Sequence, residues 1–208
     1  MKNESVNKLE FENEYLSKGY KYIAGVDEVG RGPLAGPVVC ASVIMPLDDI
    51  IDGIDDSKKL SKKKREKLYD EIISKAISYK ICRIEHDEID KINILNATKK
   101  CMKNCIENMS VTPDMVLVDA VKLDTNLKCV DIIKGDFKSY SIGAASILAK
   151  VYRDRIMEEY SNTYQGYGFE RNSGYGTKEH ISKLKESGPC PIHRRTFIKN
   201  FWVEKENF

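Results

Sequence analysis

Two adjacent carboxylates, Asp27 and Glu28, close an apolar run and are followed at once by Val29-Gly30-Arg31-Gly32-Pro33. Like charges side by side raise each other's pKa, and a divalent cation between them relieves the repulsion. Gly30 and Gly32 carry no Cβ, so the backbone there can approach a ligand closely. Arg31 between them supplies a planar guanidinium suited to a phosphate. Carboxylates for metal, bare backbone for contact and one cation for phosphate point to metal-assisted chemistry on a phosphate ester. Asp-Glu alone is more often a solvated surface turn; the flanking glycines and arginine reverse that reading.

A second acid, Asp119, ends the continuous apolar run Met115-Val116-Leu117-Val118, the pattern of a strand buried on both faces. Asp27 and Asp119 thus stand at the C-terminal ends of two strands, where sites gather in open α/β sheets. Asp154, on a long helix, could complete a cluster of four acids. Pairing with Lys150, one turn earlier, is its plainer alternative. Asp136 is a rival for the fourth place. An all-oxygen set without His or Cys favours Mg²⁺ or Mn²⁺ over zinc.

The elements that must carry these groups are legible from period and punctuation. Residues 22–27, 38–45, 79–85, 115–118 and 129–133 read as strands, and Gly36-Pro37 marks the turn before the second. Ser61 reads as the N-cap of a helix to about residue 76, and residues 94–109 and 177–186 read as further helices. The clearest helix spans residues 139 to about 160. It is apolar on two sides, through Ile142, Ala145, Ala149, Tyr152 and Ile156 and through Gly143, Ile147 and Val151. A helix apolar on two faces is sandwiched, here between the sheet and the C-terminal segment. The order argues an α/β fold with a mixed sheet.

At 208 residues the chain reads as one domain, with an N-terminal arm over about residues 1–20 and a helical extension over about residues 165–208. A formal net charge of +2 says little about partners, but its distribution says more. Residues 58–67 hold six lysines and one arginine against the single acid Glu66, a block suited to a polyanion. The six cysteines form no Cys-X-X-Cys pair and no disulfide framework, and no signal peptide precedes them. Reduced thiols in a cytoplasmic protein, with no membrane span, are the expectation. Cys101 and Cys105 fall on one helix face.

Five blocks in order carry a family resemblance. Residues 25–37, beginning Gly-Val-Asp-Glu-Val-Gly-Arg-Gly-Pro, resemble the N-terminal signature of bacterial ribonuclease HII, of the type 2 ribonuclease H family. Asp56-Ser57-Lys58-Lys59-Leu60-Ser61, residues 134–154, Gly174-Tyr175-Gly176-Thr177 and His193-Arg194-Arg195 resemble its later blocks. The resemblance implies an RNase H-like fold: a mixed central sheet flanked by helices, with a C-terminal helical extension over the groove. It implies cleavage of RNA in RNA–DNA hybrids and at single ribonucleotides in duplex DNA, leaving 3′-hydroxyl and 5′-phosphate ends. Asp27, Glu28, Asp119 and Asp154 would be the catalytic acids. The first three would be ligands of two Mg²⁺ or Mn²⁺ ions about 4 Å apart. Backbone atoms of Gly30, Arg31 and Gly32 would read the 2′-hydroxyl, with Tyr175 packing on the neighbouring sugar. Arg31, Lys58, Lys59, Arg194 and Arg195 would contact phosphates. His180 and His193 read as structural or phosphate-contacting. A monomer with no obligate protein partner is expected.

Three alternatives are weighed. Ribonuclease HIII usually carries lysine in the glycine turn and an extra N-terminal domain, whereas Arg31 stands here and only 21 residues precede the first strand. A non-catalytic binder of the same fold predicts loss of an acid. A small-molecule phosphohydrolase leaves the basic block unexplained. Two departures from the commoner family pattern are Ala120 after Asp119, where glycine is frequent, and Glu170-Arg171-Asn172 before the tyrosine loop.

Overall fold

The computed structural model describes residues 7–55 and 57–202. Asp56 of the second family block, the first six residues of the arm and the last six of the extension lie outside the described residues.

Five strands form one sheet: β1 (Ile23–Val29), β2 (Val38–Ile44), β3 (Ser78–Ile84), β4 (Met115–Asp119) and β5 (Cys129–Ile132), in the order β3-β2-β1-β4-β5. β1, β2 and β3 pair antiparallel, whereas β4 and β5 join parallel to β1, so the sheet is mixed. The period of two along β2 sorts its side chains between layers. Val39, Ala41 and Val43 meet α2 (Lys62–Lys75) and α6 (Tyr140–Thr163) on one face. Val38 and Cys40 meet Cys101 and Cys105 of α4 (Ile94–Glu107) on the other.

Helix starts follow from their caps. Ser61 accepts from the Lys64 N–H, Asn93 from Asn96, Ser139 from Ile142 and Thr177 from His180, satisfying donors that have no partner within the helix. α6 packs across β1 and β2 and reaches α2 and α7 (Phe169–Asn172), so its two apolar sides are both used. Where it crosses β1 the contact is backbone to backbone. A Cβ on Gly25 would lie 2.1 Å from the Ser141 carbonyl carbon.

The N-terminal arm forms a helix that packs into the domain. α1 (Glu10–Ser17) sends Phe11 and Tyr15 against Ile23, Met115 and Ile142. Its Glu12 is fully buried, and one carboxylate oxygen accepts from the Ser139 hydroxyl (2.6 Å) and the Ser141 N–H (2.9 Å). A carboxylate at the N-terminus of α6 complements the positive end of that helix.

The C-terminal segment includes α8 (Lys178–Ser187) and α9 (Arg195–Ile198). Leu184, Ile198 and Leu34 share a small core there. The sequence reading missed α3 (His86–Ile92), α5 (Gly135–Lys138), α7 and α9, of which three are single turns below the length at which periodicity is readable.

Candidate active site

Parallel pairing aligns the ends of β1 and β4. Val26 pairs with Val118, which sets Asp27 and Asp119 one position further along neighbouring strands. Asp27 is 5% exposed, and one of its oxygens accepts from the Glu28 N–H at 2.7 Å. Burial drives its carboxyl well above the ordinary range, and the charges of Glu28 and Asp119 push the same way. The Ser146 hydroxyl of α6 hydrogen-bonds it and opposes that shift. Burial also raises Glu28, against the pull of Arg31, whose guanidinium lies 3.3 Å away. The Glu28 Oε2 atom is buried without a hydrogen-bond partner among the described residues. Asp119 accepts from the Gly135 N–H at 2.7 Å.

Two clefts adjoin these acids. One, of about 300 Å³, is lined by Asp27, Glu28, Ser57, Lys58, Arg65, Ser146, Lys150 and Tyr175. The other, of about 610 Å³, is lined by Asp119, Ala120 and Asp136 together with Lys58, Lys59, Lys134 and Phe137. Lys58 lines both, and its ammonium lies 4.0 Å from Asp136.

Asp154 is held rather than open. Lys150 donates to it at 2.6 Å, Ser173 at 3.3 Å, and Arg65 stands 3.5 Å from its second oxygen. The pairing with Lys150 weighed from spacing is therefore present. Arg65, which the sequence reading did not single out, and Lys150, which it read only as a partner of Asp154, both line the first cleft. Arg65 belongs to the basic block, and also donates to the Ser57 and Leu60 carbonyls. Among the described residues, no three His, Cys, Asp or Glu side chains stand closed around one point as an ion would gather them.

The glycine turn abuts Tyr175, which lines the first cleft. Gly30 has φ +92°, where a side chain would be strained, and a Cβ there would lie 2.2 Å from Arg153 Nε. The open side of Gly32 looks at the Tyr175 ring at 3.6 Å, and Tyr175 is half-exposed.

One expectation is overturned. Arg194 is fully buried and cannot meet a phosphate. Its Nη2 donates to the Gly30 carbonyl (2.6 Å), its Nη1 to Arg31 (2.9 Å) and its Nε to Gly36 (3.0 Å). Burial, with the charge of Arg153, lowers its pKa to about 9, and those carbonyls keep the cation tolerable. Arg153, also buried, donates to Pro37 (2.9 Å), Ala35 (3.2 Å) and Ser173 (2.8 Å). His180 and His193 are buried against Tyr167 and Phe169, so of their two readings the structure gives the structural one.

Mixed sheet, helices on both faces and buried acids at adjoining strand ends define an RNase H-like α/β protein built for phosphate-ester hydrolysis. The family model "Ribonuclease HII" matches residues 24–205. A ribonuclease HII of Ruminiclostridium cellulolyticum is 56% identical over 194 residues, covering 93% of this chain and 76% of that protein. One of Caldicellulosiruptor saccharolyticus is 54% identical over 195 residues, covering 93% and 95%. Among solved structures, the ribonuclease H2 of Pyrococcus horikoshii superposes with a TM-score of 0.73 at 29% identity, covering 85% of this chain and 93% of that one. The chain belongs to the ribonuclease HII family, and is accordingly a ribonuclease, a hydrolase of phosphodiester bonds. Among the described residues no helix is long and apolar enough to cross a membrane.

Proposed function

We propose that the chain cleaves the RNA strand of RNA–DNA hybrids and nicks duplex DNA 5′ of a single embedded ribonucleotide, leaving 3′-hydroxyl and 5′-phosphate ends. The observation that carries this reading is the acid pair Asp27 and Glu28, with the charge of Asp119 acting on both, in a cleft that Tyr175 also lines, the Tyr175 ring standing against Gly32 of the glycine turn.

Divalent cations fit the donor chemistry. The ligands are all oxygen, Asp27 is destabilised as an anion by its neighbours, and Glu28 keeps one buried oxygen with no partner. Asp27, Glu28 and Asp119 would hold Mg²⁺ or Mn²⁺, with Asp154 released from Lys150 and Arg65 to assist. Such ions, two in the loaded complex, lower the pKa of a bound water and neutralise charge at the scissile phosphate. The protein's own groups do the rest. Lys58, Lys59 and Lys134 line the second cleft and would serve as phosphate contacts that position the duplex without reading sequence. Arg31 serves the same end beside the turn. Backbone atoms of residues 30–32 read the 2′-hydroxyl, the group that separates RNA from DNA, while Tyr175 packs on the adjoining sugar.

The test is a nicking assay on a duplex with one ribonucleotide, in Mg²⁺ and in Mn²⁺, beside an all-DNA duplex and Asp119→Asn. A metal-requiring cut 5′ of the ribonucleotide, lost in the variant, is the expected result. Cleavage confined to longer hybrids would move the assignment toward ribonuclease HIII-like selectivity. Binding with no nick under either metal would refute the enzyme reading.

A further inference from the structure

We propose that Arg194 is a positioning residue for ribonucleotide selectivity, holding the Gly30 and Arg31 carbonyls inward so that the Arg31 and Gly32 N–H groups face the cleft. The inference rests on the proposed cleavage at ribonucleotides and names what makes the turn selective.

The argument is one of peptide polarity. The described residues contain no cis peptide bond, and in a trans peptide the C=O and the following N–H point in opposite directions. Arg194 binds the carbonyls of Gly30 and Arg31 from the buried side at 2.6 and 2.9 Å. The N–H groups in those same two peptides, of Arg31 and Gly32, are therefore turned away from Arg194. On the exposed side the turn meets two residues that line the cleft: the Arg31 guanidinium reaches back to Glu28, and Gly32 looks onto the Tyr175 ring. Two successive N–H groups aimed at one space form a small electropositive nest. A 2′-hydroxyl offers such a nest an acceptor oxygen that deoxyribose lacks.

The rest of the loop is anchored as well. Leu34 donates to the Gly174 carbonyl, Gly36 to Ile192, and the Arg194 N–H to Leu34, at 2.8 to 2.9 Å. Arg153 holds Ala35 and Pro37. Among the described residues, Arg194 alone, by its guanidinium, holds the two peptides whose donors look outward. Its planar fork meets three carbonyls at once, a task a lysine ammonium performs poorly. The arginine that resembles a phosphate ligand in sequence thus acts through the turn, without touching substrate.

The experiment separates selectivity from stability. In Mg²⁺ nicking kinetics, the KM of a single-ribonucleotide duplex and the inhibition constant of its all-deoxy twin are measured for wild type, Arg194→Met and Arg194→Lys. Each is assayed at a temperature where circular dichroism shows it folded. Expected is a rise in KM of tenfold or more for Arg194→Met, with the all-deoxy constant within twofold of wild type and partial recovery in Arg194→Lys. If Arg194→Met does not fold, Arg194→Lys decides through the same ratio. A folded variant whose two constants stay at wild type, or rise together, overturns the proposal while leaving the nuclease assignment intact. A wild type that does not nick at the ribonucleotide removes the functional reading, and this inference with it.

Discussion

The paired histidines of the C-terminal segment make stability depend on pH in a way that can be worked from their bonds. His180 Nδ1 donates to the Tyr175 carbonyl at 2.9 Å, so its Nε2 is the acceptor. That Nε2 lies 2.9 Å from His193 Nε2, which must carry the shared proton. His193 Nδ1 is then the acceptor left for the Cys190 N–H at 3.0 Å. Every ring nitrogen is satisfied with both residues neutral. A further proton on either would set two N–H groups head to head. Burial lowers both rings, and with the neighbouring His180 brings His193 to about 4, against 6.5 for a free imidazole. The folded pKa lies below the unfolded one, so between pH 6.5 and 4 the unfolded chain binds the proton and the folded chain does not. The stabilisation is complete above the unfolded pKa and is lost as pH falls through that window. For His193 alone the loss from pH 7 to 5 is about 2 kcal/mol, at about 1.4 kcal/mol per pKa unit. Urea unfolding of wild type and His193→Gln at both pH values isolates it, because carboxylate contributions cancel in the difference. The advantage of wild type over the variant should shrink by about 2 kcal/mol at pH 5. Parallel stability curves would show that the pair is not held neutral.

Three further substitutions separate packing from function. Gly25→Ala would place a methyl 2.1 to 2.3 Å from the Ser141 and Ile142 backbone, and should cost more than about 4 kcal/mol or abolish soluble expression, read by thermal melting. Gly32→Ala, whose Cβ meets only the Tyr175 ring at 3.6 Å, should change the melting point little yet lower nicking at a ribonucleotide at least tenfold. An unchanged kcat/KM would show that the open face of Gly32 is not used. Ala120 adopts φ +46°, so Ala120→Gly should stabilise by about 0.5–1 kcal/mol, the relief of left-handed strain less the entropy of glycine. A loss of stability in urea would mean that the Ala120 methyl contributes contacts outweighing the strain.

Strands β1, β2 and β4 were legible because alternation, glycine turns and unbroken apolar runs are local signals, and their ends carried Asp27, Glu28 and Asp119. The cap Ser61 was local as well. Lys150 was legible from its spacing as a partner of Asp154, but Arg65 was not. Within a block of lysines, nothing in sequence marks the arginine that folds back onto Asp154. Glu12 reads as one acid among several in a charged arm, and only the third dimension brings it to the start of α6.

Arg194 is the instructive failure. In sequence it stands in His-Arg-Arg, as exposed in type as Arg195 beside it. Its three partners lie 158 to 164 residues away and are backbone carbonyls, which have no side-chain signature. A guanidinium that replaces its hydration with carbonyls can be buried where a lone charge cannot. The same burial makes the C-terminal segment part of the site rather than a cover over it. Residues 190–194 bind His180, and through it the Tyr175 carbonyl, and they hold the turn at residues 30–36. The two sides of the proposed sugar pocket are therefore set by one stretch of chain. A substitution in that stretch should move Tyr175 and the turn together, so Arg194 and His193 variants should be non-additive in KM.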